Sequence, residues 1–101
     1  MPEEYLHVER DAQAIDSTGP VCTLDPSYDT RTISLFLNAS EATDFALEVK
    51  FGAEDEWVEM DTFTGTDSLS EAFDLPAFAH RLVVTTAATA GATADVKIGA
   101  R

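Results

Sequence analysis

The stretch DFALEVKF, Asp44–Phe51, decides the fold class. Phe45, Leu47, Val49 and Phe51 alternate with Ala46, Glu48 and Lys50. Side chains on a strand point to opposite faces in turn, so this pattern is a strand with one face toward a core. The alternation spreads outward from there. TISLFLN (32–38) sets Ile33, Leu35 and Leu37 on one face. HRLVVTTA (80–87) does the same with Leu82 and Val84, and TADVKIGA (93–100) with Val96 and Ile98. EYLHVE, PVCTLD, EWVEMDTF and SLSEAFDL complete a set of about eight short strands. Helical spacing is not sustained anywhere in the chain.

The breaks between these runs carry turn chemistry: STGP, DPSYD, NASEATD, GAED, TGTD, LPAF and TAGAT. No linker or repeat divides the 101 residues, so the chain is expected to be one domain, 1–101. The expectation is an all-β, single antiparallel β-sandwich of about eight strands, jelly-roll-like, with an immunoglobulin-like sandwich as second choice. Residues 1–18 are either an edge strand or an arm that docks on another subunit through Tyr5, Leu6 and Val8.

Charge bounds the partners. Nineteen acidic residues face six basic ones, giving a formal net charge of −13. Lys50 and Lys97 are the only lysines, and Arg10, Arg31, Arg81 and Arg101 are scattered. A phosphate backbone needs clustered cations, so nucleic acid is not an expected partner, and neither is an anionic membrane surface. The N-terminus has no basic and apolar leader, which predicts synthesis in a cytoplasm without a signal peptide. No apolar run reaches the roughly 18 residues of a membrane helix. Cys22 has no intrachain partner and lies in the apolar run PVCTL, which reads as a buried thiol.

The acids are dispersed, which predicts a negative surface all round. Such a surface repels itself, and molar salt shortens the Debye length to about 3 Å and screens that repulsion. The composition resembles proteins of extremely halophilic archaea and their viruses.

The hairpin region FGAEDEWVEMD, Phe51–Asp61, packs five carboxylates around the only tryptophan. With Phe45 to Phe51 inward, Val58 and Met60 are the expected inward pair on the return strand. Trp57 then falls outward beside Glu59 and Asp61, because the opposite register would bury unpaired carboxylates. An outward tryptophan packs on a neighbouring segment, meets another subunit, or offers a platform to a sugar. As metal ligands, Glu54 and Asp55 are consecutive and diverge, and Asp25 and Asp29 lack a full ligand set. His7 and His80 have no partner at zinc spacing. No nucleophile elbow, phosphate loop or paired-histidine motif is present. The expectation is a protein that is not an enzyme and uses no cofactor and no metal.

FALEVKF, the tryptophan-bearing EWVEM, HRLVVTTAA and the closing TADVKIGAR together resemble small β-sandwich structural modules of tailed viruses. The resemblance covers about the last sixty residues and carries no site motif. Combined with the halophilic composition, it implies a capsid decoration, turret or tail-associated protein of a haloarchaeal tailed virus. Such a protein would sit in the virion as a homo-oligomer, in contact with others such as the major capsid protein. A carbohydrate-binding or adhesion module, with an aromatic platform near Trp57 and a glycan partner, is the alternative.

Overall fold

The computed structural model describes residues 6–25, 32–74 and 77–100. These form six antiparallel strands: β1 (Leu6–Ala14), β2 (Gly19–Leu24), β3 (Thr32–Lys50), β4 (Val58–Asp74), β5 (Ala79–Thr86) and β6 (Thr93–Ala100). There is no helix among the described residues. The sheet order is β1-β6-β3-β5-β2, with β4 paired to β3.

One strand organises the rest. β3 is 19 residues long and pairs with β4 along almost its whole length. Its other edge serves two partners in succession. Ile33–Ala39 pairs with β6, and Asp44–Lys50 pairs with β5. The sheet therefore folds over at residues 39–44, and both halves close on one core. Ile33, Leu35, Leu37, Val96 and Ile98 come from the first half; Phe45, Leu82, Val84 and Cys22 come from the second. β1 and β2 approach across the opening, where the Cys22 thiol lies 3.9 Å from the Val8 carbonyl. The result is a nearly closed barrel.

β4 shows how sharp the fold-over is. Phe63 and Phe73 have ring centroids 6.2 Å apart. A straight strand would hold them roughly 30 Å apart. Together with Leu69 they pack, half-buried, against the core.

Six strands rather than eight is a correction with a clear cause. NASEATD and TGTD were expected to be turns, but both continue their strands through breaks in register. The runs expected as two strands on either side of each break are thus one strand apiece, Thr32–Lys50 and Val58–Asp74. The single curled sheet is neither a clear eight-stranded sandwich nor a jelly roll. The polar residues of NASEATD have a different task. The Ser40 hydroxyl accepts the Thr93 N–H at 3.1 Å, and Glu41 accepts the N–H and hydroxyl of Thr89 at 3.1 and 2.9 Å. They tie the β5–β6 loop to the bend, satisfying donors that the ladder does not reach. Thr43 donates its hydroxyl to the Thr86 carbonyl at the same place.

Asp44 closes the bend. Its carboxylate accepts the Gly65 N–H at 2.8 Å and the Thr86 hydroxyl at 2.9 Å. Gly65 has φ of +60°, a conformation that a side chain disfavours and that the break in β4 requires. The Gly65 N–H, and then the Thr86 hydroxyl, hold the Asp44 carboxyl below its ordinary value of 3.8. A lowered folded-state pKa stabilises the fold above the unfolded value, and the benefit fades as pH falls through the folded value. The stability difference between wild type and Asp44→Asn should therefore be constant at neutral pH and shrink below pH 3.8. Thermal melts of both proteins across that range check it, and a pH-independent difference would contradict it.

Candidate functional site: the hairpin tip and the Phe36 face

The β3–β4 hairpin tip is residues 51–57. The Asp55 N–H bonds to the Gly52 carbonyl at 3.1 Å and tightens the turn. Behind the turn, Trp57 is half-buried. The Arg81 guanidinium carbon lies 4.3 Å from the Trp57 ring centroid, and the Lys50 ammonium lies 5.1 Å from it. Arg81 bonds Glu48 through Nη2 at 2.7 Å and Nε at 2.8 Å. Lys50 pairs with Asp25 at 3.3 Å. The tryptophan is thus one layer of a charged stack running Glu48–Arg81–Trp57–Lys50–Asp25. Glu48 and Arg81 are cross-strand neighbours, which places them on one face for this contact. A double-mutant cycle between Trp57→Ala and Arg81→Ala should give a coupling of about 0.5–1 kcal/mol. Additive losses would show that the stack adds nothing.

The other expected residues scatter. Glu59 lies opposite Glu48, whereas Asp61 lies opposite Leu47, because β4 slips register between them. The slip separates two carboxylates that simple alternation puts together. Both are exposed, as are Glu54 and Asp55. Val58 and Met60, expected inside, are 46% and 44% exposed, and Phe51 is 56% exposed. The tip overhangs the core, so three apolar side chains stand in solvent beside the carboxylates of the turn. Leu6 and Val8 lie on β1, packed half-buried against the core, with β1 paired to β6. Tyr5 and Asp29 lie outside the described residues.

Among the described residues no three His, Cys, Asp or Glu side chains are grouped to hold a metal. His80 is fully buried on β5, and His7 is exposed on β1. Burial pushes the Cys22 thiol up to about 11, which keeps it protonated at neutral pH. No helix is long and apolar enough to cross a membrane among the described residues.

A second feature was missed in the sequence. Phe36, between the buried Leu35 and Leu37, points outward and is 46% exposed. Its ladder neighbours are Lys97 on β6 and Ser70 on β4. A trough of about 390 Å³ runs beside it over Val96, bounded by Glu9, Asp11, Asp95 and Lys97. Two shallower hollows, about 260 and 200 Å³, also touch the ring. The period of two in TISLFLN already put Phe36 on the outer face; the signal was in the alternation.

No protein family matches the sequence, and no curated protein does. The fold has solved counterparts. It is similar to the SPBc2 prophage-derived protein YomS, with a TM-score of 0.68 and 10% sequence identity. That match covers 99% of this chain and 96% of YomS. It shares the fold of this prophage-derived protein from end to end. PirA matches with a TM-score of 0.48 and 9% identity, over 94% of this chain and 93% of its own.

Proposed function

We propose that the protein is a non-enzymatic structural component of a haloarchaeal tailed-virus particle. It is made in the host cytoplasm and functions in high salt without a cofactor. Its copies assemble on a capsid or tail, touching each other and neighbours such as the major capsid protein.

The observation that carries this reading is the hairpin tip. Phe51, Val58 and Met60 expose apolar surface at one end of a small, rigid fold. Exposed apolar surface rimmed by polar residues is the usual mark of a protein contact. Beside it runs β4, a 17-residue strand whose ladder among the described residues is with β3 alone. A free edge of that length takes a neighbour by strand addition. Glu59, Asp61, Asp67, Glu71 and Asp74 guard it, as charges guard edges in monomeric proteins. At molar salt that guard is screened over a few ångströms. The shared fold with a prophage-derived protein supports the viral setting by analogy of fold.

Mass spectrometry of purified particles tests the proposal. The expected result is this chain in many copies per particle, retained in molar salt. A chain found only in infected-cell lysate, and never in particles, would overturn it.

A further inference from the structure

We propose that the first half of β1, residues 6–10, is an exchangeable arm that leaves its own β6 and pairs with β6 of a second copy. The proposal deepens the assembly reading and rests on it, since it names a segment that joins copies in addition to the apolar tip. The hinge is visible in the ladder. Residues 6–10 pair with Ala100 through Val96, and Gln13 and Ala14 pair with Ala94 and Thr93. Asp11 and Ala12 fall in the break between the two runs. Ala12 has φ of 51°, the left-handed region, where its Cβ crowds the following carbonyl oxygen. Among the described residues no other non-glycine adopts a positive φ. The ladder on either side holds the strain in place, and the Asp95 carboxylate adds to it by accepting the Ala12 N–H at 2.8 Å. An arm that swings out lets Ala12 return to an extended conformation.

The arm is lightly held. No residue of β1 is buried, whereas Val96, Ile98 and Ala100 on its partner strand are. Leu6 and Val8 are half-buried, and the Glu9–Lys97 pair is exposed and 3.7 Å long. Beyond the hinge the chain is fixed. Ile15 is fully buried, and its N–H and carbonyl bond to Ala92 and Ala88. Opening is therefore confined to the arm and leaves the rest of the fold intact.

The vacated edge of β6 selects its occupant. The segment that fits it is the one that already pairs there, with the same register and the same Glu9–Lys97 contact. A second copy supplies that segment unchanged. Exchange thus replaces every contact that opening breaks, and the balance is left to two factors. A short tether holds the arm at an effective concentration of about millimolar, which favours its own copy in dilute solution. Relief of Ala12 favours exchange roughly tenfold, which tips the balance where copies are held side by side.

Two single variants test this, Glu9→Cys and Lys97→Cys, because the two positions are cross-strand partners at disulfide distance. Each copy carries one of them, so an exchanged arm brings them face to face across two copies. The variants are mixed at about 1 mM, near the effective concentration of the tethered arm, and oxidised with glutathione in about 2 M salt. Mixed dimers linked between positions 9 and 97, identified by peptide mass mapping, should exceed the random share beside like-with-like dimers. They should also increase with protein concentration. Adding Ala12→Gly to both copies should lower their yield roughly fivefold, because glycine adopts this φ without strain. Circular dichroism confirms that the variants fold. Mixed dimers at no more than the random share would overturn the proposal, and so would an equal yield with Ala12→Gly. Either result is read whether or not the chain is found in particles, so failure of exchange and failure of the virion role are distinguished.

Discussion

Phe45→Ala is expected to cost about 3–5 kcal/mol of folding stability, a large share of what a domain of this size has. Phe45 is 1% exposed and lies immediately past the point where β3 changes partner. It is flanked by Phe63 on β4 and Val84 on β5, and its side chain joins the core shared by both halves of the sheet. Removing the ring leaves a cavity where the sheet folds over, and the surrounding strands, each held by a ladder, cannot collapse into it. At about 4–8 °C per kcal/mol, the melting temperature falls by more than 10 °C. Phe36→Ala is the matched control, the same change of residue on the same strand with the ring on the outside. It should shift stability by no more than about 0.5 kcal/mol. Urea titrations of the two variants compare them directly. Equal losses would mean that the bend is not built around Phe45.

Salt is the second lever. Lowering salt from about 2 M to 0.1 M lengthens the Debye length from a few ångströms to about 10 Å, beyond the spacing of neighbouring surface charges. Nineteen acids then repel one another with six bases to offset them. Three of those bases are already engaged, in Lys50–Asp25, Arg81–Glu48 and Lys97–Glu9 pairs. Little positive charge is left to neutralise the exposed carboxylates along β4. The expected result is a fall in melting temperature of roughly 10 °C, equivalent to about 2 kcal/mol. Melts by circular dichroism at both salt concentrations check this. A melting temperature indifferent to salt would remove the halophilic part of the proposal.

The fold class was legible because alternation is a local signal. Ile33, Leu35 and Leu37, and Phe45, Leu47 and Val49, are buried as their spacing requires. The strand count was not legible, because Asn, Ser, Asp and Gly mark a register break inside a bent hairpin as strongly as they mark a turn. Only the tertiary contacts of Ser40, Glu41 and Asp44 with distant strands and loops distinguish the two cases. The tip was misjudged for a related reason. Alternation says which side a residue faces but not where the core ends. Phe51, Val58 and Met60 lie past that end and are exposed. Trp57 was placed outward from the cost of burying Glu59 and Asp61. Its actual cover, Arg81 and Lys50, lies on other strands that a single sequence does not order.

Light scattering coupled to size-exclusion chromatography, in about 2 M salt, tests assembly most directly, because the carboxylates guarding β4 are then screened. The expected result is a discrete closed oligomer that dissociates when salt is lowered and when Val58 and Met60 are both changed to serine. A strict monomer in high salt that also fails to bind purified capsids would contradict the proposed structural role.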